Sequence, residues 1–354
     1  METKHSFYFS DARDMSVVGD STVDLIMTSP PYPMISMWDD SFAEQIGFTS
    51  IESNPDLIFE VMNLILKSVW SECYRVLKDG GFCVINIGDA TRTINGKFRL
   101  WTNHQKVIEQ CTEIGFTPLT NIIWRKPTNT PNKFMGSGML PCGAYVTLEH
   151  EYLLIFRKGD KRKYTTDKEK ERRAESAYFW EERNVWFSDL WQINGTKQSM
   201  HGNSTRNRNA SYPFEIPYRI INMYSQAGDT VLDPFVGIGT TTFAAIGSGR
   251  NSIGFEIDTN FKDVIKQNLL PSGTYWNFNK RTTDRLMNHV DWLEAETKKG
   301  REFKHFNEGL NTKVVTAQEE KLKLNFVDNI SIEAEDDNSL LYICKHHQFN
   351  CVKK

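Results

Sequence analysis

The chain has 354 residues, of which 39% are hydrophobic and 25% are charged, and its formal net charge is −3. These values are typical of a globular protein with one large domain or two smaller ones. No apolar run approaches the roughly 20 residues that cross a bilayer, and residues 1–5 lack the pattern of a signal peptide. We therefore predict a cytoplasmic protein that makes no membrane contact. The six cysteines form no C-x-x-C pair, which argues against a disulfide framework and a zinc ribbon, and no metal site is predicted.

Short apolar runs bounded by turn residues predict β-strands. The predicted strands are Val23–Thr28, Phe82–Ile87, Leu119–Trp124, Glu151–Phe156, Thr230–Asp233 and Asn251–Phe255. The clearest helix, Leu57–Leu77, has apolar residues at helical spacing and is followed by Asp79-Gly80-Gly81. Strands that alternate with helices indicate an α/β sheet. After Pro271 the sequence becomes charged and irregular, and we predict no regular structure there.

The first strand runs directly into the turn Ser29-Pro30-Pro31-Tyr32. Consecutive prolines fix φ and remove two amide donors, so the turn is stiff and holds its neighbouring groups in set directions. A planar base with an exocyclic amine could stack on Tyr32, with its amino hydrogens donated to the Ser29 hydroxyl and the Pro30 carbonyl. A Pro-Pro pair by itself more often only closes a strand, so this motif alone leaves both interpretations open.

The segment 157–219 is basic, with 14 Lys and Arg against nine Asp and Glu, and aromatic residues lie between the charges. This pattern suits a nucleic-acid surface. A solvated helix with ion pairs at i,i+4 spacing gives the same pattern. The cations that we single out as candidate nucleic-acid contacts are Arg157, Lys158, Lys161, Arg162, Lys163, Arg206 and Arg208.

A glycine-rich turn follows the strand Thr230–Asp233 and leads into a helix. Glycine lets the backbone approach a ligand closely, and the helix presents its positive end. Glu256 ends the next strand, where it can accept hydrogen bonds from ribose hydroxyls. The pattern predicts a nucleoside-cofactor site, although a G-x-G turn that only packs is the alternative. Thr242 replaces the third glycine of the dinucleotide pattern and there is no G-K-[ST], which argues against NAD and ATP.

Taken together, the two motifs resemble those of a known family. Residues 28–32, Thr-Ser-Pro-Pro-Tyr, resemble the catalytic motif of DNA amino-methyltransferases, and residues 233–240 resemble their S-adenosylmethionine motif. The order of the two motifs is similar to that of the circularly permuted beta class. Residues 72–81 and 212–217 also resemble segments of that class, so the resemblance covers roughly residues 6–268.

The resemblance implies a Rossmann-like, mixed seven-stranded methyltransferase sheet with helices on both faces and an irregular target-recognition region. It implies a catalytic half over 1–156, target recognition over 157–210 and a cofactor-binding half over 211–270, followed by an extension of unknown role over 271–354. The implied catalytic residues are Ser29, Pro30, Pro31 and Tyr32. The implied S-adenosylmethionine ligands are Asp11, Asp233, Pro234, Phe235, Gly237, Gly239, Thr240 and Glu256.

The implied function is site-specific methylation of an exocyclic amine in double-stranded DNA, with the target base flipped out of the helix. Serine at position 29 is typical of cytosine-N4 enzymes, whereas adenine-N6 enzymes mostly carry Asp or Asn there; adenine N6 is the alternative. The resemblance also implies a restriction–modification system with a cognate endonuclease, and a homodimer. Two other classes stay open: an NAD-dependent oxidoreductase, which has no use for the Ser-Pro-Pro-Tyr turn, and a non-catalytic DNA-binding protein.

Overall fold

The computed structural model describes residues 1–48, 50–126, 135–136, 139–195, 212–269 and 272–349. Its strands are β1 Glu2–Tyr8, β2 Val23–Thr28, β3 Leu77–Ile87, β4 Ala90–Ile94, β5 Lys97–Trp101, β6 Thr117–Pro118, β7 Ile122–Arg125, β8 Met135–Gly136, β9 Ala144–Tyr145, β10 His150–Arg157, β11 Leu190–Gln192, β12 Thr230–Asp233, β13 Asn251–Phe255, β14 His305–Asn307, β15 Thr312–Val314, β16 Asn325–Asp336 and β17 Ser339–Gln348. Its α-helices are α1 Asp39–Ile46, α2 Pro55–Val76, α3 Asn103–Ile114, α4 Asp167–Glu175, α5 Trp180–Trp186, α6 Glu215–Tyr224, α7 Thr240–Gly247, α8 Phe261–Leu269 and α9 Ser272–Lys298. None of these helices combines the length and hydropathy that crossing a membrane requires.

One large mixed sheet organises the described chain. Its strand order is β11-β7-β10-β3-β2-β12-β13-β1-β17-β16, with β6 paired to β10. The five strands from β3 to β1 are parallel to one another. The antiparallel strands β10 and β17 flank this parallel block. The predicted α/β sheet is confirmed, but it has eleven strands rather than seven.

Helices cover both faces of the parallel block because successive side chains of a strand point to opposite faces. Ile26 of β2 contributes to the core beneath α2 and α3, together with Trp70 and Val107. Its neighbour Leu25 contributes to the core on the other face, with Ile220 of α6 and other residues of α6 and α7. Helix α2 lies within two residues of its predicted bounds, although Leu57 and Leu64, two of the apolar residues behind the prediction, are exposed and the buried face includes Met62, Leu66 and Trp70.

The neighbouring strands β2 and β12 form a topological switch point. The chain leaves β2 toward α2 on one face, and it leaves β12 toward α7 on the opposite face. In parallel sheets a crevice opens where connections diverge in this way, at the carboxyl ends of the strands. Thr28 and Asp233, which end these strands, therefore lie at the edge where a ligand is expected to bind. We refer to this edge as the carboxyl edge, and to the opposite one as the amino edge.

The C-terminal part of the chain is regular, contrary to our prediction. The hairpin β16–β17 pairs with β1 and extends the main sheet. Leu340 and Tyr342 on β17 are buried beside Phe7 of β1. On the edge strand β16, the consecutive residues Glu333, Ala334, Glu335 and Asp336 are all exposed, so the sequence there lacks the alternation that predicts a strand.

Strand β1 was not predicted from the sequence, because two of its buried side chains are polar and interrupt the apolar pattern of a strand. Thr3 Oγ1 lies 2.9 Å from His5 Nε2 and 2.8 Å from His346 Nε2 on β17. His5 Nδ1 lies 2.9 Å from the Ser252 hydroxyl on β13. Burial lowers the pKa of His5 to about 3 and that of His346 to about 4. Both imidazoles are therefore neutral at physiological pH and exchange hydrogen bonds inside the sheet.

Candidate active site

The Ser-Pro-Pro-Tyr turn and the glycine-rich turn meet at the carboxyl edge of the sheet. Leu25 and Ile26 of β2 pair in register with Val231 and Leu232 of β12. The Thr28 hydroxyl then donates a hydrogen bond of 2.6 Å to Asp233 Oδ1, and both residues are buried. This bond joins the ends of two strands that are about two hundred residues apart in the sequence, as the resemblance implied.

Asp233 is a buried carboxylate held by neutral donors. Besides Thr28, its partners are the hydroxyls of Thr241 and Tyr212 and the Phe235 amide, which donates at 3.0 Å. Burial raises the pKa of Asp233, although these hydrogen bonds act in the opposite direction. None of these described partners carries a positive charge, so the Asp233 carboxylate is stabilised here by neutral hydrogen bonds alone.

Glu256 occupies the corresponding position after β13. Its carboxylate accepts hydrogen bonds from the Gly237 amide at 3.0 Å and from the Asp258 amide at 2.9 Å. Burial raises the pKa of Glu256 to about 7, and the neighbouring charges of Asp258 and Asp233 add to this effect. The carboxylate thus joins the glycine-rich turn to the end of β13 and retains acceptor capacity for ligand hydroxyls.

The glycine-rich turn adopts a backbone conformation that favours glycine. Gly237 has φ of 51° and Gly239 has φ of 93°, both in the left-handed region that other residues rarely adopt. A Cβ added to Gly237 would meet no protein atom within 4 Å, so the space beside this residue is open. Gly239 caps helix α7, whose first turn begins at Thr240. The turn therefore forms a partly buried cradle at a helix amino terminus.

The Ser29 side chain belongs to a hydrogen-bond network that we call the Ser29 network: Ser29, Tyr32, Asn86, Lys126 and Glu151. Ser29 Oγ lies 3.1 Å from Tyr32 Oη, which donates to Glu151 Oε2 at 2.9 Å. The Asn86 amide nitrogen lies 2.7 Å from both Tyr32 Oη and Glu151 Oε2, and 3.3 Å from Ser29 Oγ. Lys126 forms an ion pair with the other carboxylate oxygen of Glu151.

Strand pairing brings these residues together. Asn86 lies on β3 opposite Leu153 of β10, and Glu151 lies two residues earlier on β10. Gly88, just after β3, allows Tyr32 to approach, since an added Cβ would meet the Tyr32 ring at 3.0 Å. Burial raises the pKa of Tyr32 well above its ordinary value, and the adjacent Glu151 charge adds to this. The Tyr32 hydroxyl therefore stays protonated and acts as a donor.

Sequence reasoning missed Asn86, Lys126 and Glu151. The only available signal was an acid at the start of a predicted strand. That signal becomes informative only once β10 is known to run antiparallel to β3, because this pairing brings the start of β10 to the carboxyl edge.

The comparisons with known proteins agree with this geometry. The sequence profile of the DNA methylase family, N6_N4_Mtase, matches residues 23–267 and spans both motifs. The chain belongs to this family. It is an S-adenosylmethionine-dependent DNA methyltransferase of the group that methylates N4 of cytosine or N6 of adenine.

Two similar proteins are named type II methyltransferases. M.MthZI of Methanothermobacter thermautotrophicus is 46% identical to this chain, and the match covers 92% of this chain and 91% of M.MthZI. M.MjaI of Methanocaldococcus jannaschii is 51% identical over 75% of this chain and 91% of its own length. Among solved structures, TTHA0409 of Thermus thermophilus, complexed with S-adenosyl-L-methionine, has a TM-score of 0.58 at 28% identity, covering 74% of this chain and 92% of that one. These matches support the assignment of the fold and the class of enzyme.

The residues that the methylase presents at the cradle fit this cofactor. S-adenosylmethionine carries an ammonium and a sulfonium, and the buried carboxylate of Asp233, whose partners among the described residues are neutral, would attract this positive charge. Glu256 would accept hydrogen bonds from ribose hydroxyls, and the space beside Gly237 would admit a ligand against the backbone. Pro234 and Phe235 belong to the same turn, and the Phe235 ring packs edge-on against Trp70 at 6.0 Å between centroids.

Asp11 also lies near the carboxyl edge, just beyond the end of β1, where the carbonyl of Tyr8 accepts from the Glu256 amide at 3.0 Å. Its carboxylate accepts hydrogen bonds from the Arg13 side chain and, at 2.8 Å, from the Arg13 amide. Most of its acceptor capacity is thus used locally, and its proposed contact with the adenine stays a prediction.

The described part of the basic segment begins at the amino edge, away from Ser29. Arg157 pairs with Phe82 at the start of the β3 ladder, whereas Thr28 pairs with Ile85 further along. Lys158 donates to the carbonyls of Tyr74 and Leu77 at 2.7 Å. The structure therefore does not bring the cations of 157–163 to the catalytic turn.

The ion pairs of the basic segment are largely internal to the protein. Arg162 pairs with Asp229 at 2.7 Å, at the start of β12. The candidate DNA contacts Arg206 and Arg208 lie outside the described residues, and their role stays a prediction. The described residues on either side of that segment lie at the carboxyl edge: Ile193 follows β11 and accepts from the Trp124 indole at 2.9 Å, and Tyr212 contacts Asp233.

Proposed function

We propose that this methyltransferase transfers a methyl group to N4 of a cytosine that has been flipped out of double-stranded DNA at a specific site. The bond between Thr28 and Asp233 carries the proposal, because it holds the base-binding turn beside the cofactor cradle. Proximity of this kind lowers the barrier of a bimolecular transfer by fixing both reactants in one geometry. Serine at position 29 supports cytosine, as the family resemblance implies.

The chemistry requires activation of a poor nucleophile. The amino group of cytosine delocalises its lone pair into the ring. Ser29 Oγ and the Pro30 carbonyl accept its two hydrogens, which favours a pyramidal nitrogen with an available lone pair. The bound cofactor supplies a methyl group activated by a positive sulfur. The amino nitrogen forms the new N–C bond as the C–S bond breaks, and then releases one proton.

The flipped base would enter at the carboxyl edge, where Ser29 and Tyr32 lie. Tyr32 presents its ring beside Ser29, and the phenol is fixed through its hydroxyl by Glu151 and Asn86. A flipped base gains stacking and hydrogen bonds there, which offset the few kcal/mol that unstacking costs. We also propose that the enzyme protects DNA against a cognate endonuclease, as the type II names of its relatives suggest, and that it forms a homodimer.

The product identifies the reaction. Purified protein is incubated with unmethylated genomic DNA and S-adenosylmethionine that carries a labelled methyl group, and the nucleosides are analysed by mass. We expect labelled N4-methylcytosine, and much less label with Ser29→Ala under the same conditions. Labelled N6-methyladenine would overturn the base assignment and retain the class of enzyme. Unlabelled DNA from a protein that binds the cofactor would overturn the proposed function.

A further inference from the structure

The hydrogen bonds of the Ser29 network have a direction, and one residue sets it. The Glu151 side chain is only 12% exposed and pairs with Lys126, so it is a carboxylate held by an ammonium group. A carboxylate accepts hydrogen bonds and donates none. Every group that contacts it must therefore point a hydrogen toward it.

This rule determines the orientation of Tyr32 and Asn86. The Tyr32 hydroxyl has a single hydrogen, which it donates to Glu151 Oε2 at 2.9 Å. The atom of the Asn86 carboxamide that lies 2.7 Å from Glu151 must be the nitrogen rather than the oxygen. Asn86 is buried, and its amide nitrogen also lies 2.7 Å from Tyr32 Oη. The Tyr32 oxygen is left as an acceptor.

The same logic then fixes Ser29. Tyr32 has already used its hydrogen, so the 3.1 Å contact between the two hydroxyls requires Ser29 to donate to Tyr32. Asn86 Nδ2 also lies 3.3 Å from Ser29 Oγ, but its two hydrogens serve the shorter 2.7 Å contacts with Tyr32 and Glu151. The Ser29 oxygen consequently keeps a lone pair for another donor. An amino group of a substrate is such a donor, so the chain Glu151, Tyr32, Ser29 presents an acceptor where the reaction needs one.

We propose that Glu151 is a positioning residue that orders this chain and thereby holds Ser29 in its hydrogen-bond-accepting orientation. The inference rests on the proposed function, since it assigns Ser29 the role of accepting a hydrogen from the target amine. It holds for either amino substrate, because cytosine N4 and adenine N6 both donate. It extends the catalytic motif to a residue 119 positions away in the chain.

Glu151→Gln tests the chain while it preserves the size of the side chain. Glutamine can donate to Tyr32, which frees the Tyr32 hydrogen to point at Ser29 and to occupy its lone pair. We expect the single-turnover rate to fall about tenfold to a hundredfold, with the KM values for DNA and cofactor changed less than about twofold. Glu149→Gln is the matched control, because Glu149 pairs with exposed Arg125 at 3.7 Å, and we expect it to keep the wild-type rate.

The decisive measurement is the same substitution in a Ser29→Ala background. If Glu151 acts only through Ser29, adding Glu151→Gln changes the residual rate of Ser29→Ala by less than about twofold. Tyr32→Phe breaks the chain independently, and its combination with Glu151→Gln should be no slower than the slower single variant. The Tyr32→Phe arm keeps the inference testable if Glu151→Gln does not fold.

Each outcome has a distinct meaning. A wild-type protein that transfers no methyl group to DNA would overturn the proposed function before any variant is compared. With an active wild-type enzyme, additive losses in the Ser29→Ala background would overturn the inference and make Glu151 a purely structural residue. A wild-type rate for Glu151→Gln would also overturn the inference. Losses that disappear in the Ser29→Ala background support the ordered chain.

Discussion

The two ends of β12 carry buried aspartates in opposite electrostatic settings. At the amino edge, Asp229 is paired with Arg162 and Arg172, and it also accepts from the Gln226 amide at 2.8 Å. At the carboxyl edge, four residues later, Asp233 is held by hydroxyls and one amide. The same residue type is thus charge-neutralised at one end of a four-residue strand and held by neutral donors at the other.

The difference separates stabilisation from ligand binding. A buried carboxylate with cationic partners contributes to the folded state, and removing one partner leaves uncompensated charge. A buried carboxylate without a cation is unfavourable until a ligand supplies one, which is typical of functional sites. The amino edge of this methyltransferase therefore serves the fold, and the carboxyl edge is where we propose that its cationic cofactor binds.

Gly237→Val is expected to have the largest effect on the carboxyl edge. The side chain would enter the open space beside the cradle, where the cofactor is expected to lie, and we expect affinity for S-adenosylmethionine to fall more than about a hundredfold. Isothermal titration calorimetry measures this directly. The backbone strain at positive φ costs only about 1 to 2 kcal/mol, so a cooperative unfolding transition should persist. Unchanged affinity would show that the cofactor does not approach this turn.

Exchanging each aspartate of β12 for asparagine tests the comparison itself. Asp229→Asn should lower the free energy of unfolding by about 2 kcal/mol, below the value for fully buried pairs because both arginines are partly exposed. Asp233→Asn should change it by less than about 1 kcal/mol, since the amide oxygen can accept from Thr28 and Phe235 while its nitrogen donates to the hydroxyls of Thr241 and Tyr212, but should weaken cofactor binding. Urea titrations and calorimetry measure the two quantities. The contrast fails if both variants lose the same stability and neither loses cofactor affinity.

Glu256 adds a dependence on pH at the carboxyl edge. Its pKa is about 7 in the folded protein, above the ordinary 4.5, so the cofactor-free protein loses stability as pH rises from 4.5 through 7. Glu256→Gln removes this titration and should stabilise the cofactor-free protein at pH 8 by about 1 to 3 kcal/mol.

The same substitution should weaken cofactor binding about tenfold, because an ionised acceptor for ribose hydroxyls is lost. Wild-type affinity should also rise as the pH passes through 7, whereas the variant's should not. Thermal unfolding and calorimetry at pH 5, 6, 7 and 8 measure both trends. A variant that retains the wild-type pH trend would assign it to another group.

The smallest effect is expected at the amino edge. Lys161 and Lys163 flank Arg162, whose partner Asp229 marks that edge. Since the catalytic turn lies at the opposite edge, we expect Lys161→Ala and Lys163→Ala to change DNA affinity less than about twofold each. Fluorescence anisotropy with a duplex containing the target site measures the change. A loss of tenfold or more would place DNA across the amino edge and contradict this comparison.

The sequence alone predicts which residues of the glycine-rich turn and of the end of β13 lie at the carboxyl edge. Gly237, Gly239 and Glu256 follow short apolar runs, and each has a local physical reason for its position. Glu151 and Lys126 could not be found in this way. Their proximity to Ser29 depends on the register between β10 and β3, which is set by contacts far apart in the sequence.

Charge composition also predicts only part of the arrangement of the basic segment. It locates the cations of 157–163 correctly but does not reveal their partners. Asp24 and Asp229, which both lie near Arg162, come from two other parts of the chain. A basic stretch predicts a surface that binds an anion, but here Arg162 of that stretch is already paired with carboxylates of the protein.

The position of β1 has a consequence for synthesis of the chain. This first strand pairs only with β13 and β17 in the sheet, so it has no partner until Asn251–Phe255 has been translated. At ribosomal rates of 5 to 20 residues per second, the wait is roughly 10 to 50 s. An unpaired apolar strand is prone to aggregate during such a delay. Two of the three residues that β1 buries most deeply are Thr3 and His5, and we expect their polarity to limit aggregation of the unpaired segment in the nascent chain.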